Sequence, residues 1–260
     1  MADAALGVTW STDHVCAKWL DSSVTEAGKH SLVLLVERDA ARDAILGDLS
    51  ELVREHYVAP ETLARRLEEH GATQTAALVR AQLPTGKRSR SGDMGEILAT
   101  ELAEQTLGFS VPVRRLRWKD GREMALRGDD IIGVAGSLDA LVFLKGESKS
   151  RASLATAAID EAAAALERDR GRPTRHSVLF VADRLREQGR HDIAAGLESA
   201  VINGFKGCRV EHLLFVLSGN NPGNLLAAHL AACATHTKRH AVGLRVADHS
   251  AFISTVYGAL

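Results

Sequence analysis

The chain has 260 residues, of which 45% are hydrophobic and 25% charged, and a formal net charge of −1. This fits one large globular domain, or one with a smaller extension, with ample material for a core. It excludes a bilayer-spanning helix, since no apolar stretch approaches the roughly 20 residues required, and it excludes a uniformly basic nucleic-acid binder. The opening MADAALGVTW lacks a basic region ahead of an apolar one, so no signal peptide is expected. Three scattered cysteines, Cys16, Cys208 and Cys233, point to the reducing cytoplasm rather than to a disulfide framework.

Residues 1–30 carry no clear periodicity. Ser31–Glu37 is an apolar run of strand length. Ala40–Val53 repeats apolar residues at helical spacing, and Pro60 opens a second helix. Leu83–Asp93, rich in Pro, Gly, Ser and charge, reads as a linker. It divides an N-terminal α/β region, 1–85, expected to regulate or to bind a partner, from a domain over 86–260. Asp93–Leu107 is helix-like and stops at Gly108. Val111–Trp118 alternates as a strand, and Lys119–Glu123 reads as a hairpin turn into a strand over Met124–Val134. Leu141–Ser148 is a third strand and Ala152–Arg168 a long Ala-rich helix. Ser177–Ala182 reads as a fourth strand, followed by a helix to about Val201. Leu213–Leu217 is a fifth strand, Leu225–Thr235 a helix and Ala241–Val246 a last strand. The class is α/β, with a central mixed sheet flanked by helices.

Charge is distributed unevenly. Lys87, Arg88 and Arg90 form one basic cluster. Arg114, Arg115, Arg117, Lys119 and Arg122 form a second, and Arg168, Arg170, Arg172 and Arg175 a third. Each alone reads as solvated surface; folded together they would line a phosphate-binding face.

The segment LKGESKS ends a buried strand. Alternation places Glu147 and Lys149 on one face and Gly146 and Ser148 on the other. A tight meander would bring Asp130, in RGDDIIGV, beside Glu147. Two adjacent carboxylates repel, and a hard divalent cation, Mg²⁺ or Mn²⁺, relieves the repulsion. Such an ion activates water and polarises a phosphodiester, while Lys149 orients the water or stabilises developing charge. Glu96, in GDMGEIL, is placed to reach the same rim as a further ligand, and Gly95 lets the backbones approach. Plainer readings exist for each: an edge-strand pair for Glu147 and Lys149, a turn for Asp129 and Asp130, a first-turn helix acid for Glu96. Cys233, His236 and His240 have a zinc-like spacing but no obvious fourth ligand, and read as packing and solvent contacts.

Asp130 followed by Glu147-Ser148-Lys149 resembles the signature of the PD-(D/E)XK nuclease superfamily, and Glu96 resembles the first-helix glutamate of many members. The proline of that name is absent, Asp129 standing there, which leaves the choice between the two aspartates open. The phrases RGDDIIG and FLKGESKSR further resemble the HamA family, nuclease subunits of Hachiman anti-phage defence systems, over about residues 85–260. The resemblance implies a restriction-endonuclease-like core and a metal-dependent deoxyribonuclease, an endonuclease or nickase. It would work with a partner helicase resembling HamB and stay silent until infection or DNA damage. Asp130, Glu147 and Glu96 would hold the metal, Lys149 would be catalytic, and Lys145, Arg127, Arg151 and Arg88 would touch DNA. The rival reading is a nuclease-fold module that has lost its chemistry and binds nucleic acid or protein.

Overall fold

A computed structural model describes residues 8–124 and 126–260. The elements run α1 (Val15–Trp19), β1 (Leu20–Ala27), β2 (His30–Glu37), α2 (Ala41–Tyr57), α3 (Pro60–Gln82), α4 (Lys87–Thr106), β3 (Ile131–Ser137), β4 (Ala140–Arg151), α5 (Thr156–Glu167), α6 (Arg175–Glu187), α7 (His191–Ile202), β5 (Arg209–Ser218), α8 (Gly223–Ala231), β6 (Lys238–Arg245) and α9 (His249–Gly258). The strands form one six-stranded mixed sheet in the order β1-β2-β6-β5-β4-β3. The inner strands β2, β6, β5 and β4 are parallel, and an antiparallel hairpin closes each edge.

Both sheet faces are covered, so β5 is continuously apolar from Leu213 to Leu217 rather than alternating. Its Leu213, Phe215 and Leu217 pack with Leu49 and Val53 of α2, Ile97 and Leu98 of α4 and Phe252 of α9. Its Leu214 and Val216 pack on the other face with Ile159 and Leu166 of α5 and Leu226 of α8. Phe143 and Ile132 meet α6 and α7 in a third cluster.

The central mixed sheet flanked by helices is therefore present, with differences in detail. Lys87–Asp93 is not linker but the first two turns of α4; its pattern is hidden because the buried Asp93 pairs with Lys119. Val111–Trp118 is not a strand. Ser110 alone bridges to Val134, Pro112 has no N–H to donate, and Arg115–Trp118 forms a 3-10 turn. Lys119–Glu123 consequently joins no hairpin. Its Glu123 carboxylate instead accepts the N–H groups of Thr85 and Gly86 ahead of α4. Ser177–Ala182 lies inside helix α6: the Thr174 side chain caps the end, and Val178, Val181, Ala182 and Leu185 are buried at helical spacing. The patternless residues 1–30 contain α1 and β1.

The expected boundary near residue 85 falls in the short connection before α4, and the sheet and the main core cross it. β2 pairs with β6, and Leu35, Leu49 and Val53 share a cluster with Phe215 and Leu244. A fragment of residues 86–260 is therefore expected to lose cooperative unfolding, because β6 gains an open edge and the core loses one wall. A sharp urea transition for the fragment would show instead that the two regions fold separately. Among the described residues, no helix is long and apolar enough to cross a membrane.

Candidate metal and catalytic centre

The site lies in a notch created by strand lengths. Ile131, the first residue of β3, pairs with Gly146. Glu147–Arg151 therefore run on with β5 on one side and no β3 partner on the other. Asp130 stands at the corner of the notch, and its Oδ2 accepts the Ser148 N–H at 3.0 Å. Glu147 and Lys149 share a face of β4, and Lys149 Nζ donates to Glu147 Oε1 at 2.8 Å. A second carboxylate, Glu161 of α5, meets Lys149 at 3.1 Å. From the other side α4 brings Glu96. Its neighbour Gly95 lies so close to β4 that a Cβ there would sit 2.6 Å from Ser148 Oγ and 3.4 Å from Ser150 Cβ. A side chain at that position would push the helix off the strand.

The electrostatics follow from this crowding. Burial raises the Glu96 carboxyl well above the ordinary range; Arg115 opposes the rise, and Asp130 and Asp93 add to it. Burial also raises Glu147, the Asp130 charge adds to it, and Lys149 opposes it. Asp130 is raised by burial against the pull of the Ser148 N–H, Arg115 and Lys149. Burial alone would lower Lys149, but its bonds to Glu147 and Glu161 hold it above its usual range. Three carboxyl groups thus resist ionisation together, while the ammonium beside them stays charged.

Oxygen donors of this kind suit a hard divalent cation, and two of them sit at one corner of the sheet. Among the described residues, however, no three His, Cys, Asp or Glu side chains are gathered into a ligand cage. Lys149 holds Glu147, so a cation would compete with that ammonium.

The two adjacent aspartates have different surroundings. Asp129 is buried; it accepts the Thr174 N–H at 2.7 Å and faces Lys145 Nζ at 3.5 Å. Asp130 faces the notch. Lys145, expected to touch DNA, is 1% exposed and donates to the carbonyls of Arg168 and Arg172. Its place on a central strand next to a buried acid withdraws it from solvent. Arg127, Arg151 and Arg88 are exposed. Most of the second basic cluster is consumed internally. Arg114 pairs with Glu104, Arg117 donates to the Glu55 carbonyl, Lys119 pairs with Asp93, and the buried Arg115 donates to the carbonyls of Asp129 and Arg127. Arg115 thereby clamps the approach to β3, a role hidden by its assignment to a strand. Glu161 carries no local sequence signal, and its position on the α5 face beside β4 emerges only from packing. Of the zinc-like trio, His240 bonds Ser31 and Glu211, Cys233 meets Arg239, and His236 is exposed.

The fold and notch define an α/β protein whose sheet presents two carboxylates, one on β4 and one just before β3, and a lysine at an open corner. The chain belongs to the HamA family, whose model matches residues 9–260. It is 28% identical over 183 residues to a relative from Bacillus cereus described as "Hachiman protein HamA". That match covers 68% of this chain and 65% of the relative.

Proposed function

We propose that this chain is a metal-dependent deoxyribonuclease of a Hachiman anti-phage defence system, nicking or cutting DNA under the control of a partner helicase resembling HamB. The observation that carries the reading is the meeting of Asp130, Glu147 and Lys149 at the notch, two on β4 and one immediately before β3. Asp130 and Glu147, with Glu96 from α4, would hold Mg²⁺ or Mn²⁺, which supplies a Lewis acid and an activated water. Lys149 then donates to a non-bridging phosphate oxygen as charge develops there. The Ser148 N–H fixes the Asp130 carboxylate so that it need not reorganise. Glu161 draws Lys149 aside, and the Lys149–Glu147 pair keeps the site closed until substrate or partner breaks it. That closure also favours a second reading, a binding module without chemistry.

Thermal stability against pH separates the two. Glu147 is pushed up to about 7 and Glu96 to about 8 in the fold, against an ordinary 4.5 when unfolded. Between these values the native chain holds protons that the unfolded chain releases, so the stability these two carboxyls contribute is full below pH 4.5 and is lost as pH rises to 8. A cation bound by the carboxylates removes the loss. With EDTA the melting temperature of wild type relative to Glu96→Gln should fall between pH 5 and 8, the comparison cancelling the buried histidines, whose lowered values act in the opposite sense. Mn²⁺ should restore it most at the alkaline end. A melting curve indifferent to Mn²⁺ at pH 8 would favour the binding module.

A further inference from the structure

A second feature lies at the opposite end of the same strands. An open cavity of about 450 Å³ is framed by the turn Arg168–Gly171 and the starts of β5 and β6. Arg170, Arg172, Arg209, Lys238 and His236 line it, with Glu211 as the one acid among its lining residues. Glu211 is already matched, accepting from His240 at 2.8 Å and facing Lys238 at 3.5 Å. Among the described residues, Arg170, Arg172 and Arg209 have no carboxylate at ion-pair distance; Arg172 reaches the Gly204 carbonyl instead. The cavity therefore concentrates positive charge in a chain whose total is −1.

Its rim is also built at a cost. Asp169, Arg170 and Gly171 are consecutive left-handed residues, with φ of 57°, 60° and 75°. Two of them carry side chains that disfavour this conformation. Buried groups impose it. Lys145 Nζ ties the carbonyls of Arg168 and Arg172 on either side of the turn, at 2.9 and 3.0 Å. His212, with no exposed surface, bonds the Gly171 carbonyl at 2.8 Å. Strain held by such over-determined surroundings is characteristic of ligand clamps. Arg209 pairs with Val142, five residues before Glu147 on β4, so the cavity lies about 17 Å along the strands from the notch. At roughly 3.4 Å of duplex axis per phosphate, that span corresponds to about five phosphates.

We propose that this cavity binds the phosphodiester backbone of a nucleic-acid strand, as a docking site a few nucleotides from the notch. The inference rests on the nuclease reading for its choice of ligand, but its test does not require cleavage. The full chain is titrated in EDTA with a short fluorescein-labelled single-stranded oligonucleotide over a range of salt. Wild type should bind saturably. R170E/R209E should bind at least about tenfold more weakly, with a salt slope lower by about 2. R65E/R80E, the same charge change on α3, should differ little from wild type. Unchanged affinity and slope in R170E/R209E, or no saturable binding by wild type, would overturn the proposal. So would inorganic pyrophosphate binding that the cavity variant loses in a chain that ignores the oligonucleotide, since the ligand would then be a small phosphate anion. A chain that binds through the cavity but never cleaves would leave this site standing and sink the nuclease reading.

Discussion

Asp130→Ala is expected to abolish cation-dependent cleavage without weakening the fold, whereas Asp129→Ala should cost the fold about 3 kcal/mol or more. The residues are adjacent, so the contrast comes from where each side chain goes. Asp129 sits 4% exposed against Lys145, itself 1% exposed, and takes the Thr174 N–H ahead of α6. Removing it strands a buried ammonium and releases the end of a helix. Asp130 is held in the fold against burial, and its charge raises Glu96. Its loss removes repulsion, and the single bond forfeited, from Ser148, is worth about 1 kcal/mol. Urea midpoints in EDTA measure the stability arm and plasmid cleavage the activity arm. A large stability loss in Asp130→Ala, or surviving activity, would contradict the division of roles.

Lys149→Met should lower cleavage by about 10²–10³-fold, the usual loss when a preorganised donor to developing charge is removed. Cation binding should survive or tighten, because the ammonium at 2.8 Å from Glu147 no longer competes for that carboxylate. The Mn²⁺-induced rise in melting temperature reads this directly. Loss of both cleavage and the Mn²⁺ shift would mean that Lys149 arranges the site rather than acting in it.

The parts of the molecule that were legible in sequence share one property: their pattern is local. The apolar run of β5 announces itself within a few residues. Alternation alone put Glu147 and Lys149 on one face, and Gly95 foretold the close approach of α4 to β4. The parts that failed depend on partners distant in the chain. The six-residue window 177–182 is apolar enough for a strand, and only Leu185 and the Thr174 cap reveal the helical period. The polar sequence of β1 becomes a strand because β2 offers it an edge. Lys145 looks like surface charge until Asp129 and two carbonyls close around it. The choice between Asp129 and Asp130 turns on β3 starting at Ile131, a boundary set by the clamp of Arg115.

The most direct test of the central claim is cleavage of supercoiled plasmid in Mg²⁺ or Mn²⁺ by wild type and Glu147→Gln, purified identically, each with and without any helicase encoded beside it. Glu147→Gln keeps the shape of the side chain and removes the charge that would hold the cation. Nicking or linearisation by wild type that disappears in the variant and in EDTA is the predicted result. Equal cleavage by both proteins, or none by wild type with or without such a helicase, would contradict the assignment of this notch as a nuclease centre.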